Sequence, residues 1–269
     1  MGLKKKAKKF LENFLFNKGY ILEKITDINK LNNLIKKLSP VATDKNLIRI
    51  GSINDGGYIV PDVLKDIKYC YSAGIGFNYD FEYELAKKGV KCFMADYSIN
   101  EIEKNSNLIF DKIFISGNSE EKYLSIEDWI KKKEVDPSVG SILKIDVEGD
   151  EYKILNSVNK DFFLKFKIII IEFHNLHYLF NEKFFFLFKD IIEKIINNFY
   201  CVHIHPNNDV DFIKLKENII IPPVMEFTFV NKINLKKINN QKLFFPNKLD
   251  ADNNPNKKSI ILPDCWNKS

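Results

Sequence analysis

Apolar residues along this chain fall into short runs that break off at acidic or histidine residues, and the breaks recur at regular intervals. From Asp66 onward, Ile67–Ala73, Val90–Ala95, Lys112–Ser116, Ile142–Ile145, Lys167–Phe173, Tyr200–His205 and Val224–Val230 have the length and β-branched content of strands. Between them, Tyr79–Lys88, Ile126–Lys133, Tyr152–Val158 and Phe184–Asn197 carry apolar residues at helical spacing. Strands apolar on both faces and interleaved with helices predict an α/β fold with a doubly wound, mostly parallel sheet of six or seven strands. Ahead of Asp66 the pattern differs. Residues 1–20 carry Leu3, Ala7, Phe10, Leu11, Phe14 and Leu15 at near-helical spacing among Lys4, Lys5, Lys6, Lys8 and Lys9. A second helix, Asp27–Leu38, stops at Ser39-Pro40. Leu47–Ile50 and Ile59–Val60 flank Asn54-Asp55-Gly56-Gly57, which reads as a hairpin turn. Beyond Pro246 the chain is rich in Asn, Asp, Pro and Lys and predicts an extended segment. The expected organisation is a helical extension over 1–45, one α/β domain over 46–245, and a tail over 246–269 packed on it.

Composition narrows the picture only a little. A hydrophobic content of 45% fills a large core, and a net charge of +5 among 29% charged residues gives no argument for nucleic acid. Four scattered cysteines offer neither metal-knuckle spacing nor a disulfide framework, which predicts a reducing, cytoplasmic setting. The basic helix at residues 1–20 reads first as a docking element that covers the sheet or a partner subunit. The alternative is an anionic membrane surface, at the inner face of the membrane. Of 41 basic residues a single one, Arg49, is arginine; it marks a place for a forked cation, or chance in a lysine-biased composition.

The candidate chemistry lies where the strands end. Strand Ile67–Ala73 runs into Gly74-Ile75-Gly76, a helix follows, and strand Val90–Ala95 ends at Asp96, 22 positions after Gly74. This is a nucleotide-binding βαβ half in which Tyr79 stands where a third glycine would allow close helix–strand packing, at a helix start that normally receives a pyrophosphate. S-adenosyl-L-methionine carries adenosine without pyrophosphate, so the turn suits it, with Asp96 as acceptor for the ribose hydroxyls. Ser141–Glu151 is a buried-looking strand that breaks into Asp146, Glu148, Gly149, Asp150 and Glu151, either a site at a strand exit or an acidic helix start. Asp146 and Glu148, Glu172 and His174, and His203 and His205 are each two residues apart, so each pair can face one side of the sheet. Taken together they predict an active site, with His177 and His203 as ordinary polar end groups.

Asn54-Asp55-Gly56-Gly57-Tyr58, Ser72-Ala73-Gly74-Ile75-Gly76, Leu143–Glu151 and Glu172-Phe173-His174 resemble the FkbM-type family of S-adenosylmethionine-dependent methyltransferases. Similarity extends through His205-Pro206-Asn207-Asn208, Pro223–Val230 and Leu249–Pro255, leaving residues 1–45 uncovered. Ser72 departs from common class I methyltransferases, where an acidic residue often precedes the glycines. The resemblance implies a Rossmann-like class I fold with seven strands, the last antiparallel, and methyl transfer to a hydroxyl of a sugar or other small metabolite. Bacterial relatives commonly modify surface polysaccharide (capsule-type) precursors, so a sugar nucleotide or glycan is the expected acceptor. In this frame Gly74, Ile75, Gly76, Asp96, Tyr97 and Asp146 would hold the cofactor. His174 would be the general base, with Asp146 and Glu172 orienting it or the substrate, and Glu148, His205, Asn207 and Glu226 would hold acceptor hydroxyls. A metal-free route is preferred to a divalent ion on Asp146, Glu172 and His174. N-methylation of a small molecule and a non-catalytic nucleotide-sugar-binding assembly protein on the same fold stay open, and a homo-oligomer is compatible with each.

Overall fold

The computed structural model of the chain describes residues 2–210, 213–214, 219–239 and 243–266. Helices α1 (Gly2–Asn17) and α2 (Ile28–Leu38) precede a hairpin of β1 (Leu47–Gly51) and β2 (Gly57–Pro61). Then come β3 (Tyr69–Ala73), α3 (Asp80–Lys87), β4 (Lys91–Ala95), β5 (Leu108–Asp111), the small parallel pair β6 (Phe114–Ser116) and β7 (Tyr123–Ser125), and α4 (Ile126–Lys131). The rest is β8 (Ser141–Ile145), α5 (Glu151–Ser157), α6 (Lys160–Phe163), β9 (Ile168–Phe173), α7 (Glu182–Ile196), β10 (Phe199–Pro206), the short pair β11 (Ile213–Lys214) and β12 (Ile220–Ile221), and β13 (Met225–Asn231). Seven strands form one sheet in the order β10-β13-β9-β8-β3-β4-β5, all parallel except β13, which runs antiparallel to both neighbours. This is the seven-stranded, mostly parallel sheet of a class I methyltransferase fold, with its one reversed strand.

The central strands owe their place to composition. β9 is Ile-Ile-Ile-Ile-Glu-Phe and β8 is Ser-Ile-Leu-Lys-Ile, and every residue of both is buried. One face of the sheet packs against α2, α4, α5 and α7, around Trp129 and Trp266; the other carries the β1–β2 hairpin and α3. Helix α2 belongs to the first of these cores. Asp27 caps it by accepting from Lys30 N, and Leu31, Leu34, Ile35 and Leu38 are all buried, each contributing roughly 1.5–3 kcal/mol.

Two expectations need correction. Lys112–Ser116 is not a strand of the main sheet. The apolar run Leu108-Ile109-Phe110 takes the edge position, and only Phe114–Ser116 is extended, paired with β7. Asp111 ends the run because its side chain turns to Trp129, accepting from Nε1 at 2.7 Å, and to Lys133. Helix α1 does not cover the sheet, both of whose faces are already occupied; its described side chains are exposed or half-buried.

Candidate active site

The register of the sheet brings the predicted residues into line. His205 stands opposite Glu226, and Glu226 opposite Glu172. Ile145 pairs with Ile171 and Ala73 with both Ile145 and Ala95, so the next residues, Glu172, Asp146, Gly74 and Asp96, continue the same row. One row thus crosses six strands on the side of the hairpin, at the carboxyl ends of the five parallel strands and the amino end of the reversed β13, and the carboxyl edge is where open α/β sheets bind ligands.

At the glycine end the fit is close. Gly74 has φ +76°, and a Cβ there would lie 1.7 Å from the Asp146 carbonyl oxygen, so the turn passes against the next strand exit only as glycine. Asp96 latches the turn: Oδ2 accepts from Ile75 N at 3.0 Å and Gly76 N at 2.9 Å, and Oδ1 accepts from Ser98 N and Oγ. Burial works against the Asp96 charge, but these hydrogen bonds outweigh it and hold the carboxyl below its ordinary value. A cavity of about 230 Å³ opens beside it, lined by Gly74, Asp96, Ser98, Ile113, Phe114 and Tyr123 on one side and Asp146, Val147 and Glu148 on the other. Acid, open glycine turn and an apolar wall suit an adenosine-bearing cofactor. Tyr97 is absent from the lining; its ring packs on Phe114 with centroids 4.7 Å apart. Asp96→Ala is expected to weaken S-adenosylmethionine binding at least about tenfold, since the turn loses its latch and the ribose an ionised acceptor; unchanged affinity by calorimetry would remove Asp96 from the site.

Beneath the row lies a buried cation that the strand pattern does not announce. Lys144 Nζ donates to Gly74 O at 2.9 Å and lies 3.5 Å from Glu82 and 3.9 Å from Asp146. Burial alone would discharge it, yet Glu82 and Asp146 outweigh burial and keep it protonated. Glu82, buried on α3, also accepts from Ser72 Oγ, so a helix brings a carboxylate to the position before the glycines where this chain has serine. The hairpin is equally involved. Tyr58 keeps its proton, through burial first and then the nearby carboxylates, and donates it to Asp146 Oδ2 at 2.9 Å.

A second cavity, about 430 Å³, adjoins the first and shares Asp146 and Glu148 with it. Its other walls include Asp55, Glu172, His174, Asn207, Asp209, Asn253 and Asn254, and none of its lining residues is Lys or Arg. Asn207 Nδ2 donates to Glu172 Oε1 at 2.9 Å. Burial first, then Asp146 and Glu226, push the Glu172 carboxyl well above its ordinary value. His174 sits between two carboxylates, Nδ1 2.8 Å from Glu151 and Nε2 3.2 Å from Glu148. Burial opposes its charge, but the hydrogen bonds to Glu148 and Glu151 prevail and hold it up to about 11. Glu151, expected as an acidic first-turn residue, is fully buried and also accepts from Val147 N and Gly149 N. Asp146, Glu148 and His174 offer three ligand atoms within 4.8 Å of one another.

Two predicted acceptor residues lie elsewhere. His205 lines a separate cavity against the C-terminal segment, with Phe245, Pro246 and Ile260–Leu262, and its Nδ1 is 3.6 Å from Asp250. Glu226 lies behind Asn253, whose Nδ2 donates to it and to Asp55, each at 3.2 Å; burial pushes its carboxyl up to about 7. The reason is the tail, which crosses between the two cavities. His203 is a structural end group, buried and 2.8 Å from Asp250. Tyr58 and Asp55 stand in Asn54-Asp55-Gly56-Gly57-Tyr58, where turn signals overshadow them.

A doubly wound sheet with one reversed strand, a glycine turn latched by an acid, and a second cavity meeting the first over a strand exit define a cofactor-dependent methyltransferase of class I fold. Residues 40–202 match the Methyltransferase FkbM domain, and the chain belongs to the FkbM methyltransferase family. Membership makes it an S-adenosylmethionine-dependent enzyme acting on a small-molecule acceptor. No curated protein matches the chain.

Proposed function

We propose that the chain methylates a hydroxyl of a neutral, polyol-like acceptor, a sugar or the sugar unit of a larger glycan precursor. The observation that carries this is the shared wall: the cofactor-side and acceptor-side cavities meet at Asp146 and Glu148. Carboxylates and the Asn207, Asn253 and Asn254 amides suit hydroxyl groups, whereas a phosphate would meet five acids and a single cation, His174, already paired with Glu148 and Glu151. Any phosphate of a nucleotide- or lipid-linked acceptor therefore lies outside this cavity. S-adenosylmethionine, when bound, supplies a methyl already activated by its cationic sulfur.

What this chain must add is alignment and a proton acceptor. His174 is too basic for that role. To act as base near pH 7 it would first have to lose a proton held to about 11, at a cost of about 5 kcal/mol. A general base contributes about 10²–10⁴-fold, or about 3–5 kcal/mol, so the cost cancels the gain. Glu172 instead takes the proton, its basicity raised by burial and by Asp146 and Glu226, while the His174 imidazolium orients Glu148 and Glu151. Tyr58 and Lys144 fix Asp146 at the junction of the cavities.

The test is methyl transfer from isotopically labelled cofactor to free, nucleotide-linked and lipid-linked sugars, read by mass. Label on a sugar oxygen is expected. Label only on amines would redirect the site to N-methylation, and cofactor binding without turnover on any acceptor would favour an assembly protein. The three ligand atoms of Asp146, Glu148 and His174 support a second reading, in which a divalent ion takes the place of the proton on His174 and acidifies the hydroxyl. Loss of activity with a chelator and recovery with Mg²⁺ or Mn²⁺ would establish it; full activity in chelator would end it.

A further inference from the structure

The first 25 residues line neither cavity, yet eight of the large apolar side chains exposed among the described residues lie there. On α1, Phe10 is 75% and Phe14 51% exposed, and Leu11 is exposed beside them. Tyr20 and Ile21, just past the helix, are 67% and 78% exposed. The same helix contains Lys4, Lys5, Lys6, Lys8 and Lys9 against one acid, Glu12, whose partner is Lys8 at 3.5 Å. Helical spacing puts Ala7, Phe10, Leu11 and Phe14 on one side, with Lys6 and Lys9 turned away from its centre.

Three occupants could cover such a face. The chain's own sheet is excluded, because both its faces are packed by other elements. A second copy would bring two lysine-rich helices together, and like charges within a Debye length repel. An anionic bilayer accommodates both properties at once: aromatic side chains sink into the headgroup boundary while lysines meet lipid phosphates. We infer that α1 is a peripheral anchor for an anionic lipid surface. No helix among the described residues is long and apolar enough to cross a membrane, so the contact is one of lying on the surface.

The attachment of this helix gives the anchor a direction. The strap after it is fixed by Thr26 N donating to Phe180 O at 2.8 Å, Thr26 Oγ1 to Leu179 O at 2.6 Å and Glu182 N to Lys24 O at 3.0 Å. These partners belong to the turn Leu176–Phe180 and the start of α7, only a few residues after His174 at the wall of the acceptor cavity. An anchored α1 is therefore tied to the segment that directly follows His174, and a lipid-borne acceptor would be met close to the bilayer.

The test uses the full chain and needs neither acceptor nor turnover. Flotation with phosphatidylcholine vesicles, with and without about 30 mol% phosphatidylglycerol, should show binding only to the anionic vesicles and release by high salt. Lys6→Glu/Lys8→Glu/Lys9→Glu should lower the partition at least about a hundredfold, each basic residue near the surface being worth roughly fivefold. Phe10→Ser/Phe14→Ser should lower it as well. All five side chains are exposed, so both variants should keep the wild-type melting temperature and cofactor affinity. Failure to bind anionic vesicles, equal binding to neutral ones, or an unaffected lysine variant would overturn the inference. So would a dimer that dissociates on removal of residues 1–20 without any vesicle binding, which would assign the face to a second copy.

Discussion

Glu172→Gln is expected to lower kcat by about 10²–10⁴-fold and leave cofactor affinity close to wild type. Gln keeps the shape and can still accept from Asn207, which bonds Glu172 Oε1, but it cannot take a proton. Two further readouts separate catalysis from structure. Glu172 must be ionised to act, so its raised value moves the rising limb of the pH–rate profile above the ordinary carboxylate range, and the variant should lose that limb. Stability should change the other way. A carboxyl whose folded value is raised binds protons more tightly when folded, so it costs stability progressively as pH rises from its unfolded value through the folded one. Gln removes that cost, and the variant should melt at or above the wild-type temperature at neutral pH. An unchanged kcat would transfer the proton to another group; a lower melting temperature would make Glu172 a structural residue.

His174→Ala should act mainly on stability. It strips a fully buried carboxylate, Glu151, of its cation, and breaking a buried pair from one side costs about 3–5 kcal/mol. The Glu148 side chain is 86% exposed, so solvent screens its share and little of the loss comes from there. The sign with pH follows from a histidine value raised in the fold. Its contribution is full below the ordinary value near 6.5 and fades as pH climbs toward about 11. Wild type and variant should therefore differ most in acid denaturant titrations and converge in alkaline ones. A constant difference across that range would mean that packing, and not the ion pair, is what His174 supplies.

Much of this site is readable in the strand pattern. Acids and histidines at the ends of apolar runs locate Asp146, Glu148, Glu172 and His174, because where an apolar run stops is a local property, although Glu148 stands past its strand with φ +55° and not in strand alternation. Local pattern does not reveal strand order, so the single row joining His205, Glu226, Glu172, Asp146, Gly74 and Asp96 requires the register. Nor does it reveal what a tail covers: His205 and Glu226 have the right parity but are walled off by Asp250 and Asn253. Lys144 sits inside an apolar run, where a lone lysine looks incidental until Glu82 arrives from α3. The proton affinity of His174 also depends on Glu151, a residue whose burial only tertiary packing decides. The edge strand reads a few residues late because Lys112–Ser116 and Leu108–Asp111 are similarly apolar, and only pairing with β4 distinguishes them.

The tail that closes one wall of the acceptor cavity has a consequence for how the enzyme is made. Asn253 reaches Asp55 and Asn254 exchanges hydrogen bonds with Asn208, so residues near opposite ends of the chain close one wall. The cofactor-side lining lies wholly between Gly74 and Asp150 and emerges from the ribosome about a hundred residues earlier. During synthesis the acceptor side is therefore the last part completed, and a chain stalled before Asn253 presents its methyl-donor pocket beside an open, unselective face.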